Sequence, residues 1–142
     1  YLGETLSHAT VMRRVGEIVG FDNIYQFGIR SGSRDEIIFS KDHSHLFLID
    51  QIDKFYDIIQ NLKEKKIYLT LDIDVIDPAF APATGTPEPG GLTSSEFLRM
   101  LTNMNNLEII GTDLVEVSPY YDISDRTAIL ASKIIRELIL ML

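Results

Sequence analysis

Cysteine is absent from this chain of 142 residues. No disulfide framework and no thiolate metal site can form. Any bound metal would be held by carboxylates and histidines, a donor set that suits hard divalent ions such as manganese or magnesium better than thiolate-bound zinc. A cysteine-free chain is also compatible with the cytosol, the expected location. Positive charge is scarce: 13 Lys and Arg against 21 Asp and Glu leave a net charge of −8. That balance argues against nucleic acid, because phosphate binding needs clustered basic side chains. It weakly favours a cationic small molecule through long-range attraction, although plain acidic solubility explains the same charge. No run is apolar enough to span a bilayer, and no secretory leader is recognisable. The most apolar stretch, residues 134–142, is interrupted by Arg136 and Glu137 and reads as a buried terminal helix. The chain opens on Tyr1 rather than methionine, which fits a fragment or a processed product.

Hydrophobic residues make up 45% of the chain, ordinary for a globular core, and the length suits one domain or a piece of a larger one. Residues 9–19 place Val11, Met12, Val15, Ile18 and Val19 at helical spacing and stop at Gly20. Residues 24–29 and 46–49 read as short strands, 33–40 as a short helix and 53–65 as an amphipathic helix. The run 67–73 is almost continuously apolar, the pattern of a strand buried on both faces of a parallel sheet. A second helix–strand pair follows (94–104 and 107–117), and a last helix opens at Ser124 as N-cap and runs to Leu142. Alternating strands and helices predict a three-layer α/β/α fold with a mainly parallel sheet and right-handed crossovers. Ligands of such sheets sit beyond the carboxyl ends of the strands.

Asp72 and Asp74 stand at that end of the apolar strand. Alternation puts residues two apart on one face of an extended strand, so both carboxylates can reach one cation or two adjacent ones. Partial burial there demands compensating charge or several donors. By itself an Asp-x-Asp pair serves equally as a helix cap or a partner for arginine. The next segment, 75–92, holds Pro78, Pro82, Pro87 and Pro89 with Gly85, Gly90 and Gly91. A connection of that length without periodicity is uncommon unless it builds a site.

Asp72-Ile73-Asp74-Val75-Ile76-Asp77-Pro78, followed by Gly85-Thr86-Pro87-Glu88-Pro89-Gly90-Gly91, resembles the signature of the arginase/agmatinase ureohydrolases. Thr70 takes the place of the small residue before the first Asp. Flanking segments agree in order: Ser7-His8-Ala9-Thr10, Gly28-Ile29-Arg30-Ser31-Gly32, and Asp113-Leu114-Val115-Glu116-Val117-Ser118-Pro119-Tyr120-Tyr121-Asp122. The last of these is more similar to agmatinases than to arginases. The resemblance spans nearly the whole chain and implies the C-terminal part, residues 1–142, of a single ureohydrolase catalytic domain.

The resemblance implies two manganese ions that activate water against the guanidinium carbon of a small cationic substrate. Asp72 and Asp74 match two metal ligands, Glu116 the guanidinium-binding carboxylate, and His8 the residue that protonates the leaving amine. Agmatine, yielding putrescine and urea, is the favoured substrate; arginine, guanidinobutyrate and formiminoglutamate are alternatives. The family has Gly where Ala9 stands, so a left-handed backbone there would strain this chain. Asp77 is expected to bond loop amides, and Asp113 to orient a neighbouring ligand. His43 and His45 lie between a helix and a strand, at the amino end of that strand, and are read as surface residues.

The Gly-Gly-Asp-His and Asp-Ala-His-x-Asp motifs that complete the family's ligand set are missing. The chain alone is therefore expected to be inactive, and the full-length protein to be a homo-oligomer, trimer or hexamer, without nucleic-acid or membrane partners. Two rivals stand beside this reading. A haloacid-dehalogenase-type phosphotransferase expects Thr two places after the second Asp, where Ile76 stands. A truncated or assembly subunit without activity is the other.

Overall fold

The structure is a computed structural model and describes residues 3–141. It is α/β, with five helices and four strands among the described residues: α1 (Val11–Val19), β1 (Tyr25–Ile29), α2 (Arg34–His43), β2 (His45–Leu48), α3 (Phe55–Gln60), β3 (Lys66–Asp72), α4 (Ser94–Thr102), β4 (Glu108–Val115) and α5 (Arg126–Met141). Both strand pairs, β1–β2 and β3–β4, are parallel. They form two separate two-stranded ladders rather than one continuous sheet.

Local chemistry sets several boundaries. Ser33 caps α2 by accepting from the Glu36 amide, while Glu36 accepts the Ser33 amide in return. Thr93 and Glu96 repeat this capping box at α4. The segment expected as one helix over 53–65 is shorter: a 3-10 stretch, Ile49–Lys54, leads into α3, which closes at Gln60. The last helix begins at Arg126, not at Ser124. Asp122 rather than Ser124 meets its first turn, its Oδ2 accepting the Ala128 amide at 2.8 Å. Leu142, the expected last residue of that helix, lies outside the described residues. No described helix is long and apolar enough to cross a membrane.

The main core joins Leu71 and Ile73 from the end of β3 to Phe97 and Leu101 of α4 and Ile134 and Leu138 of α5. Burying each such side chain contributes about 1.5–3 kcal/mol. A second cluster of Phe55, Ile59 and Met104 carries α3 onto Phe27 of β1, Leu69 of β3 and Ile109 of β4. Helices α3 to α5 thus cover one face of the β3–β4 pair. Its other face stays open, with Tyr68 63% and Ile110 62% exposed. Of the expected three layers, this pair has the strands and one helical layer among the described residues.

Candidate active site

Strand β3 ends at Asp72, and residues Ile73–Val75 turn at once into a 3-10 segment. Asp74 therefore lies beyond the strand, and simple alternation does not bring the two carboxylates together. The turn does: Asp72 Oδ1 accepts the Asp74 amide at 3.0 Å. Ile73, fully buried between them, anchors the turn in the core. The Asp72 carboxyl keeps an open side, yet its packing raises its pKa from 3.8 to about 6. Desolvation is the main cause; the Asp74 amide and Arg30 oppose it, and the charges of Asp74 and Glu116 add to it. Asp74 is raised as well, by desolvation first, with Arg30 lowering and Glu116 raising it. Three carboxylates thus act on one another at the tips of two adjacent parallel strands.

Glu116 directly follows β4 and adopts φ +64°. A left-handed conformation in a residue with a long side chain stores about 1–3 kcal/mol and is concentrated at functional positions. The bend faces Glu116 onto the loop after β3: a side chain at Gly85 would begin 3.6 Å from Glu116 Oε2. Two bonds fix the loop at this point. The Ser118 amide donates to the Ala83 carbonyl at 3.0 Å, and the Ala83 amide donates to the buried Thr127 hydroxyl at 3.0 Å.

The rest of the loop is equally pinned, which a long stretch without periodicity did not announce. Its ends are zipped by Leu92 N to Val75 O (2.9 Å) and Asp77 N to Leu92 O (2.8 Å). Asp77 accepts from the amides of Ala79 (2.9 Å), Gly90 (2.7 Å) and Gly91 (3.2 Å), as its sequence context implied. Gly91 is required sterically, because a Cβ there would fall 2.6 Å from the Asp77 nitrogen. The Ala79 amide, then that of Gly90, holds the Asp77 carboxyl below the usual carboxylate range. This contribution is present above the ordinary carboxylate pKa and is lost as pH falls through the depressed one. Asp77→Ala is expected to leave the strands intact while amide exchange at Ala79, Gly90 and Gly91 accelerates about tenfold or more, as measured by hydrogen–deuterium exchange.

His8 is exposed in a 3-10 turn, His8–Thr10, ahead of α1. The Thr10 hydroxyl closes that turn by accepting the Ser7 amide at 2.8 Å. Ala9 is not among the residues with positive φ, so the expected strain from replacing glycine does not arise. The turn lies ahead of α1, whereas Asp72, Asp74 and Glu116 lie at the exits of β3 and β4. His43 ends α2 and His45 begins β2. Each stacks on an aromatic ring, Phe39 at 4.1 Å and Tyr25 at 4.2 Å. Their nitrogens meet the Phe39 and Asp22 carbonyls, so both are used in packing. Asp113 accepts from the hydroxyls of Thr70 (2.6 Å) and Tyr68 (3.0 Å) on the open face of the β3–β4 pair.

The described residues contain no group of three or more His, Asp or Glu side chains able to hold a metal. Asp72 and Asp74 nevertheless suit a hard divalent cation: both are oxygen donors, and burial together with like charge leaves them short of positive charge. Sequence reasoning noted Gly28-Ile29-Arg30 but missed what the arginine touches: its guanidinium bonds the Asp74 and Glu88 carbonyls.

Comparison with known proteins identifies the family. The Arginase family model matches residues 1–141, and the chain belongs to that family. An agmatinase of Bacillus anthracis is 44% identical over 143 residues, covering 99% of this chain and 49% of that protein. A guanidinobutyrase of Pseudomonas aeruginosa is 34% identical over 151 residues, covering 99% of this chain and 47% of its own. Among solved structures, the agmatine ureohydrolase of Thermoplasma volcanium superposes with a TM-score of 0.83 at 35% identity, covering 99% of this chain and 49% of the other. The chain thus spans about half the length of the relatives it matches.

Proposed function

We propose that the complete polypeptide containing this chain is a manganese-dependent ureohydrolase that converts agmatine and water to putrescine and urea. The single observation behind this reading is the convergence of Asp72, Asp74 and Glu116 at the tips of two adjacent parallel strands, with Gly85 of the pinned loop beside Glu116. Asp72 and Asp74 would hold metal, and the ion pair, when bound, supplies activated water at neutral pH. Glu116 pairs with the planar guanidinium cation through charge-assisted hydrogen bonds and fixes its carbon in line for attack. As the bond between that carbon and the alkylamine nitrogen breaks, His8 delivers the proton that lets the amine depart. The remaining metal ligands would come from the part of the relatives' length that this chain does not span.

Two observations favour agmatine over other guanidino compounds: the residues after Glu116, Val117-Ser118-Pro119-Tyr120-Tyr121-Asp122, and the 44% identity to the Bacillus anthracis agmatinase against 34% to the guanidinobutyrase. A homo-oligomer, trimer or hexamer, in the cytoplasm completes the reading; the native mass tests the assembly. Urea release by the full-length protein with manganese should be about a hundredfold faster per unit kcat/KM on agmatine than on arginine or guanidinobutyrate. The isolated chain should release none. Faster turnover of arginine would overturn the substrate, and a chain that binds two manganese ions and turns over unaided would overturn the shared-site reading.

A further inference from the structure

Arg30 stands immediately after β1, half-buried, and reaches across to the other strand pair. Its Nη2 donates to the Asp74 carbonyl and, at 2.7 Å, to the Glu88 carbonyl; its Nε donates to the Glu88 carbonyl at 3.1 Å. One rigid guanidinium fork therefore ties together three pieces: the end of β1, the turn carrying Asp74, and the loop that closes on Glu116. The approach depends on Gly28, at φ +79°, where a Cβ would fall 2.5 Å from Val75 Cγ2. No ladder joins the β1–β2 pair to the β3–β4 pair among the described residues, so beside the apolar cluster shared by Phe27, Leu69 and Ile109, Arg30 is a polar tie between their carboxyl ends. Glu88 lies two and three residues before Gly90 and Gly91, whose amides Asp77 holds. Arg30 and Asp77 thus grip neighbouring stretches of the same loop, Arg30 by its carbonyl and Asp77 by its amides.

We propose that Arg30 is a positioning residue for the hydrolytic site, locking the 85–91 loop to the Asp74 turn and thereby setting the spacing between the Asp72–Asp74 pair and Glu116. The inference rests on the proposed function for its catalytic readout, but the clamp itself does not. Only arginine presents several donors in a planar fork; lysine offers a mobile point charge that satisfies one carbonyl at a time. Arg30 has a merely local role if the loop keeps its place without it.

The test uses the full-length enzyme at saturating manganese, with agmatine as substrate, comparing wild type, Arg30→Met and Arg30→Lys. Turnover is read per metal-loaded, folded molecule, alongside amide exchange at Gly90 and Gly91. Arg30→Met is expected to lower kcat about 10- to 100-fold, in the range seen when a supporting residue is removed and reacting groups shift by about an ångström. Exchange at Gly90 and Gly91 should accelerate about tenfold in the same variant, while the β3 and β4 amides stay protected. Arg30→Lys should recover part of both. Arg30→Lys or Arg30→Met with kcat, KM and loop protection all within about twofold of wild type would overturn the proposal, as would lost activity with unchanged loop protection. Should Arg30→Met fail to fold, the lysine variant decides by the same two readouts. A wild type that releases no urea removes the functional reading, and exchange at Gly90 and Gly91 in Arg30→Lys then still decides the clamp.

Discussion

Asp72→Ala or Asp74→Ala, introduced into the full-length enzyme, should strip manganese from the protein and lower urea release by about a thousandfold or more. Loss of a carboxylate ligand removes the several kcal/mol of transition-state stabilisation that metal-activated water supplies. It also leaves its partner carboxylate without the cation that justified burying it. The same pair gives the site a pH dependence whose sign can be worked out. The Asp72 carboxyl has a folded pKa of about 6 against an ordinary 3.8. Folded protein without metal therefore binds that proton more tightly than unfolded chain, and its stability falls as pH rises from about 4 to 6. Manganese must displace the proton, so metal affinity should drop about tenfold per pH unit below pH 6. Metal content after gel filtration at pH 7.5 and at pH 5.5, together with melting curves with and without manganese, measures both effects. A metal content independent of pH across that interval would contradict the assignment of Asp72, and full manganese occupancy in both alanine variants would exclude the pair as ligands.

The second large effect falls on Glu116. Truncation to alanine leaves the guanidinium cation without its anionic partner, a loss of about 2–5 kcal/mol in comparable buried charge pairs. That corresponds to a fall in kcat/KM of roughly 30- to 5,000-fold. Manganese should stay bound, because Glu116 lies on the β4 exit and is not one of the proposed ligands. Glu116→Gln keeps the shape and loses the charge, so it should fall close to the alanine variant in activity. Its left-handed backbone adds a separate check. Glu116→Gly should relieve that strain and be as stable as wild type, or more so, while remaining inactive. Isothermal titration with agmatine and manganese analysis separate the two contributions; ordinary turnover in Glu116→Ala would remove this residue from the site.

The elements were legible wherever local chemistry decides them. Apolar spacing marked α1, and the unbroken apolar run 67–73 marked β3 within a residue or two at each end; α2 and α4 fell where short helices were expected. Their extent was less so. Residues 53–65 carry helical periodicity throughout, but only Phe55–Gln60 is α-helical, because Phe55 and Ile59 are the positions that the Phe27–Leu69–Ile109 surface can bury. Ser124 looked like a cap by its type, yet the nearby Asp122, buried against the first turn, took that role.

The site divides in the same way. That Asp72, Asp74 and Glu116 were considered together came from the resemblance of their segments to the ureohydrolase motif. Sequence alone likewise determined the α/β class and the absence of thiolate chemistry. The tertiary structure decided how these groups meet. A buried Ile73 turns the chain so that Asp74 returns to Asp72, a left-handed Glu116 faces Gly85, and Arg30 bridges two ladders that share no strand hydrogen bond. Motifs record which side chains a reaction needs. Contacts between residues far apart in the chain, such as Arg30 and Glu88, depend on packing free energy summed over the whole core, and no local window of sequence contains that sum.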